Sequence, residues 1–239
     1  MTISGDAGAS DSWEWVGPLL QTVDPLFPTG SYAHSLGLEE LVQMGQANDA
    51  ENLESYLRDR MIPYLENLEL PYLRFLHDAA AGEDLELLLA LDREITAMKL
   101  TRETREASST QGRQRLRILR SIYPNPFLDL VDQHIQKNET GCNHLTVFAI
   151  QHSLQGIPNR VSLLTWLYQA IAAQCVASMK LIRIGEQGCQ KIICGCMRDA
   201  TDIVRRSLGV PREDAGWFNP VVDIASSRHE RAHVRLFIS

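Results

Sequence analysis

A chain of 239 residues, 44% of them hydrophobic, is long enough for one large domain with its own core, and length alone calls for no second. Thirty acidic against 23 basic residues leave a net charge of −7, which offers no overall attraction to a phosphate backbone and excludes nucleic acid as an expected partner. The five cysteines, Cys142, Cys175, Cys189, Cys194 and Cys196, are odd in number and irregular in spacing, which fits reduced thiols in the cytoplasm better than a disulfide framework.

Residues 1–12 are small and polar, with neither a basic nor an apolar leader region, and read as a flexible tail rather than a secretion signal. An apolar entry segment follows at 13–20. Pro25, Pro28 and Gly30 then forbid a continuous helix across 24–32. From Asp49 onward, Leu53, Tyr56, Leu57, Met61 and Tyr64 recur at helical spacing, with Glu51 and Glu54 early, where the helix dipole favours anions. Pro63 and Pro71 are expected to interrupt or kink this helix. Leu85, Leu88, Leu91, Ile95 and Met98 predict a helix over 83–100, and another is expected over 101–122, where Ala107, Ser108 and Gly112 form a strip that a neighbouring backbone could approach closely. Pro124 and Pro126 end it. Short helices are predicted at 127–136 and 143–154, the second closing at Gly156 before Pro158.

Residues 161–179 carry no formal charge, and a membrane-spanning helix needs only about 20 mainly apolar residues. Ser162, Thr165, Gln169, Gln174 and Ser178 interrupt the stretch and no second span accompanies it, so it is expected as a central bundle helix, N-capped by Ser162 and running to Arg183. After a break at 185–188, one helix is predicted over 191–208, and 217–239 is apolar, aromatic and basic without clean periodicity. Sustained alternation and Asn-Gly or Asp-Gly hairpin turns are absent. The expected fold is therefore all-α: an irregular bundle of about eight to ten helices around a central apolar helix, with a tail at 1–12, one domain over 13–216 and a C-terminal tail over 217–239.

Chemistry-bearing patterns are few. His229-Glu230-Arg231-Ala232-His233 fits H-E-x-x-H, in which two histidines four apart on a helix ligate zinc and the glutamate activates the bound water. Here the motif stands near the end of the sequence, with no downstream segment of ordinary length to supply a third ligand, so a zinc peptidase is the alternative and not the leading reading. Cys194-Gly195-Cys196 puts two sulfurs on different helical faces, and these cysteines, with Cys189, read as small hydrophobes rather than metal ligands. His34, His144 and His152 read as core or surface residues before ligands. Between Lys99 and Arg120 stand seven basic and two acidic residues, a local reversal of charge that suits either a partner-docking face or a solvated helix face. No phosphate loop, dinucleotide fingerprint or nucleophile elbow occurs, and no catalytic residue stands out.

Four segments, taken in order, resemble the urease accessory protein UreF family. They are the proline-glycine turn and helix start at 27–39 (Phe27-Pro28-Thr29-Gly30-Ser31-Tyr32-Ala33-His34-Ser35-Leu36-Gly37-Leu38-Glu39), Arg102-Glu103-Thr104-Arg105-Glu106-Ala107-Ser108 with Gly112-Arg113, the run from Leu167-Tyr168 through Ser178, Lys180, Leu181 and Arg183 to Gly185-Glu186-Gln187-Gly188, and Asp223-Ile224-Ala225-Ser226-Ser227-Arg228-His229-Glu230 with Arg235-Leu236-Phe237 behind it. Ser31 stands where a second glycine is common in that family, and Ser227 where methionine is usual. The resemblance implies a cytoplasmic, all-helical homodimer that works in urease maturation. It would bind a UreD-type (UreH-type) scaffold and then a UreG-type GTPase, and with them deliver nickel to apo-urease. On this reading the chain is no enzyme and has no cofactor or metal of its own, and Gly30, Tyr32, His34, Lys180, Arg183, Arg228, His229 and Glu230 are its expected partner-binding residues. A helical interaction module with an unrelated partner is the remaining alternative.

Overall fold

The computed structural model describes residues 13–24, 26–28, 37–229 and 237, with the backbone alone at His229. Helix α1 spans Val16–Val23, and α2, Leu38–Gln43, starts beyond Gly37. Helix α3 covers Ala50–Tyr56 and is capped by the Asp49 carboxylate, which accepts from the Asn52 N–H at 2.8 Å. Prolines 63 and 71 neither end this rod nor break it. It runs on through a π-helical turn at Leu57–Met61, helix α4 at Ile62–Tyr64, a second π turn at Leu65–Glu69 and helix α5 at Leu70–Ala81. A proline in a regular helix removes a donor and crowds the carbonyl four residues back; a π turn just before it gives the backbone room. The carbonyl released by Pro71 finds a partner: Asn67 O, four residues before it, accepts from Gly216 N–H at 2.9 Å.

Helix α6 (Leu85–Ala97) begins at an Asp84 cap, α7 (Arg102–Ile122) at Thr101, α8 (Pro126–Gln136) at Asn125 and α9 (His144–Leu154) at Asn143; each cap side chain accepts a first-turn N–H. Then come α10 (Asn159–Leu181), α11 (Glu186–Met197), α12 (Ala200–Leu208) and α13 (Pro220–His229). Among the described residues there is no strand, and with α3 to α5 continuous the helices form eleven separate rods, slightly more than expected. The surplus has two sources. The predicted helix over 191–208 is two, α11 already starting before Gly188, and a helix stands at 220–229 where the sequence shows no clear period. Ser162 is not a cap: α10 starts earlier, at Asn159, and the Ser162 hydroxyl is buried at 3.0 Å from His152 Nδ1.

The most completely buried helix is α9. Every residue from Leu145 to His152 is buried, in an eleven-residue helix wedged between α5 and α7. Helix α10, long and apolar enough to cross a membrane by length and composition, packs against α11, α5 and α12 and leaves Tyr168, Val176 and Met179 exposed. The strip on α7 serves the close approach expected of it. A Cβ on Gly112 would stand 2.0 Å from the Cys142 carbonyl oxygen, so α7 and the chain leading into α9 touch backbone to backbone. Asp92 of α6, fully buried, pins the same segment by accepting from Asn143 N–H at 2.8 Å, Gly141 N–H at 3.0 Å and the Thr140 hydroxyl.

Candidate functional site

The first and last of the four sequence segments meet across a seam between α2 and α13. Gly37 has φ of +86°, a left-handed conformation that favours glycine, and a Cβ there would also stand 2.8 Å from Ser226 Oγ of α13. The helix that Gly37 starts buries Leu38 and Leu41, and with them Glu39, which is 3% exposed. A carboxylate so buried must be satisfied, and one of its oxygens accepts from the Phe237 N–H at 3.2 Å. The Phe237 ring, also buried, lies 5.3 Å from the Lys180 ammonium at the end of α10, within cation–π range. Arg228 is exposed on α13, with a terminal nitrogen 3.9 Å from the Met44 sulfur just beyond α2.

Of the eight residues the sequence singled out, Lys180 and Arg228 thus reach this seam. Arg183 is exposed in the turn after α10 and makes no contact with it among the described residues. His229 ends α13, while Gly30, Tyr32, His34 and Glu230, and with Glu230 the H-E-x-x-H pattern, lie outside the described side chains. Three residues that hold the seam, Glu39, Ser226 and Phe237, had been quoted in the motifs but given no role. The signal was present for one: a glutamate directly after a glycine-leucine helix start and followed by Leu41 is placed to be buried.

A cavity of about 380 Å³ adjoins the seam, with Phe237, Lys180 and Glu186 in its wall along with Arg115, Gln111 and Trp166. Within that wall the Glu69 carboxylate binds Lys99 Nζ at 3.0 Å, Tyr64 OH at 2.8 Å and Trp166 Nε1 at 2.8 Å. Burial alone would raise the Glu69 pKa, but Lys99 and the two hydrogen-bond donors outweigh it and hold the carboxyl below its usual value; Lys99 is correspondingly raised. Arg115 is 2% exposed, donates to His144 Nε2 at 3.1 Å and to Gln151 Oε1 at 2.5 Å, and lies over the Phe27 and Phe148 rings. His152 stacks on Phe148 with centroids 3.9 Å apart, and burial pushes its pKa down.

Four of the seven basic residues over 99–120 are taken up by contacts within the chain, while Arg102, Arg113 and Arg117 stay exposed. Lys99 and Arg115 point inward, Arg105 donates to the carbonyls of Lys99 and Leu100, and Arg120 binds Asp129 and Asp132 across to α8. The cysteines behave as small hydrophobes except for exposed Cys194; Cys189 Sγ lies 3.3 Å from the Cys175 carbonyl oxygen, and burial pushes the Cys142 and Cys175 thiols up to about 12. His144 and His152 serve packing, with no group of three potential metal ligands among the described residues.

The UreF family model matches residues 47–196. A urease accessory protein UreF of Actinobacillus pleuropneumoniae is 30% identical over 224 residues, which cover 94% of this chain and 99% of that protein. Proteins of the same description from Arthrobacter sp. (strain FB24) and Bacillus sp. (strain TB-90) are each 28% identical across 92% of this chain and 96% and 97% of their own length.

Proposed function

Because the chain belongs to the UreF family of urease accessory proteins, we propose that it is a cytoplasmic adaptor in urease maturation. It bridges a UreD/UreH-type scaffold and a UreG-type GTPase while nickel enters apo-urease, and performs no reaction of its own. The observation that carries this reading is the seam, where motifs nearly two hundred residues apart in sequence are joined through Gly37, Glu39, Ser226 and Phe237, leaving Arg228 exposed beside them. An exposed guanidinium offers five donors in a planar fork, a shape that grips carbonyls or a carboxylate and that Lys cannot reproduce. Gly30, Tyr32, His34, Lys180, Arg183, His229 and Glu230 complete the proposed docking surface.

Arg228→Ala is expected to weaken the complex with the UreD/UreH-type partner by about 2 kcal/mol or more, the size of an interface hot spot, with helical content unchanged. His233→Ala would destroy a zinc peptidase site yet leave docking intact. Co-purification and urease activation with both variants test the reading: normal activation by Arg228→Ala together with loss in His233→Ala would overturn it. The homodimer belongs to the same proposal. Tyr168, Val176 and Met179 are exposed on α10 beside half-buried Ala172 and Ala173, a face able to pack closely, and light scattering that gave only the 26.9 kDa monomer at micromolar concentration would count against it.

A further inference from the structure

Arg115 is a positive charge inside the bundle with no ion-pair partner among the described residues. Taking such an ion out of water costs several kcal/mol even after relaxation, so buried guanidinium groups are ordinarily paired. No described carboxylate forms an ion pair with this one. Glu69 is engaged by Lys99, Tyr64 and Trp166, and Asp92 by the chain before α9. Asp24 and Glu186 share the cavity wall but make no salt bridge to Arg115. Burial is accordingly the influence that moves the Arg115 pKa, and it moves it down.

The orientation of the group is fixed on three sides. The Phe27 and Phe148 ring centroids lie at 4.8 and 5.0 Å from the guanidinium carbon, within cation–π range. Nε is used by His144 and one terminal nitrogen by Gln151, whose own amide is anchored to Thr22 Oγ1 at 3.0 Å. The remaining N–H groups of the fork have no partner among the described residues. One helical turn earlier on α7, Gln111 is 8% exposed, lines the same cavity, and its amide likewise has no partner among the described residues. Two largely buried side chains one turn apart therefore line a cavity of about 380 Å³ with donors to spare.

We propose that Arg115 and Gln111 form a binding site for a carboxylate group within this cavity. A planar monoanion matches the free edge of a guanidinium and can take a second hydrogen bond from the Gln111 amide. A phosphate dianion would bring a second negative charge into the cavity wall that already holds Glu69. The carboxylate comes either from a small free acid or from an acidic side chain of a docking polypeptide, and the two are distinguishable.

Purified full-length protein is titrated with sodium formate, and separately with an N-acetylated, C-amidated Gly-Glu-Gly peptide, at constant ionic strength balanced by chloride. Thermal unfolding and the Nε–H resonances of arginine in 15N-labelled protein are followed. The site predicts a saturable rise in Tm with formate or with the peptide, and a saturable shift of one exchange-protected arginine Nε–H. Formate alone indicates a free acid; the peptide alone indicates a polypeptide source. Gln111→Leu should raise the half-saturating concentration about tenfold, the scale of one hydrogen bond to a charged group. Arg115→Met should abolish saturation; if it fails to fold, the wild-type resonance and Gln111→Leu still decide. A Tm that changes without saturation for both probes, equally in wild type and Gln111→Leu, overturns the site.

Discussion

Lys99 and Arg115 lie a few turns apart and carry the same charge, yet their surroundings separate them. Lys99 is held by Glu69, so Lys99→Met strands a buried carboxylate and is expected to cost about 3–5 kcal/mol, measured by urea unfolding. Replacing both as Lys99→Met with Glu69→Leu should recover a large part of that loss, which a double-mutant cycle reads directly. Neither role was legible in the sequence, because a count of charges along α7 and its approach does not say which point inward. The histidines give a second test. Burial lowers the pKa of His77 and of His152, helped in His152 by Arg115 and His77, while the Ile157 carbonyl partly restores His77. The unfolded chain, with histidine near 6.5, then binds protons that the folded chain refuses. Stability is complete above about pH 7 and falls as the pH drops below about 6.5 toward the folded values, by up to about 1.4 kcal/mol per pH unit for each group. Urea midpoints at pH 7.5, 6.5 and 5.5 should show this slope, and His77→Gln should flatten it.

Some helix starts were legible: ranges expected to begin at Asp49, Thr101 and Asn143 do so, each with that side chain accepting a first-turn N–H, whereas Ser162, the one cap named, is buried inside α10. Prolines were less so. Pro63 and Pro71 were expected to interrupt or kink the helix; the α-helical run is interrupted by π turns just before each, and with the Gly216 N–H supplied from a distant loop one rod continues, a remedy that is partly tertiary and leaves no local signature. Helix α13 was missed because only Ala225 and Ser226 are buried in its middle, too few to make a period. Glycine positions now separate two kinds of damage. Gly112→Ala sets a methyl against the Cys142 carbonyl, a backbone atom that cannot step aside, and should cost about 2 kcal/mol or more of global stability by chemical denaturation. Gly37→Ala strains a left-handed residue and crowds Ser226, and so should loosen α13. Limited proteolysis is then expected to cut within 217–229 faster than in wild type, while the urea midpoint of the bundle barely moves.

At the scale of the molecule, all-α architecture followed from patterning, but which helix is most completely buried did not. Helix α10 has the length and apolarity that draw attention, yet α9, half as long, is the one enclosed, because enclosure depends on neighbours on both sides and α5 and α7 supply them. This arrangement orders the stabilities of the parts. Amides of α9 and α5 can exchange only when the bundle opens as a whole, while α13, resting on α2 and α7 by one narrow face, can open alone. Its approach also exposes Trp217 and Phe218, at 44% and 74%, and α13 itself exposes Ile224, at 54%, one helical turn before Arg228. Exposed aromatic and apolar side chains together with an exposed arginine in one short segment have the composition of an interface centre. Hydrogen exchange read by mass spectrometry should therefore give peptides from 217–229 far faster exchange than peptides from 144–154 in the free protein. Adding the proposed UreD/UreH-type partner should slow exchange in 217–229 by about tenfold or more, leaving 144–154 as it was. Slow exchange of 217–229 already in the free protein, unchanged by the partner, would show that α13 is a fixed part of the bundle and that docking takes place elsewhere.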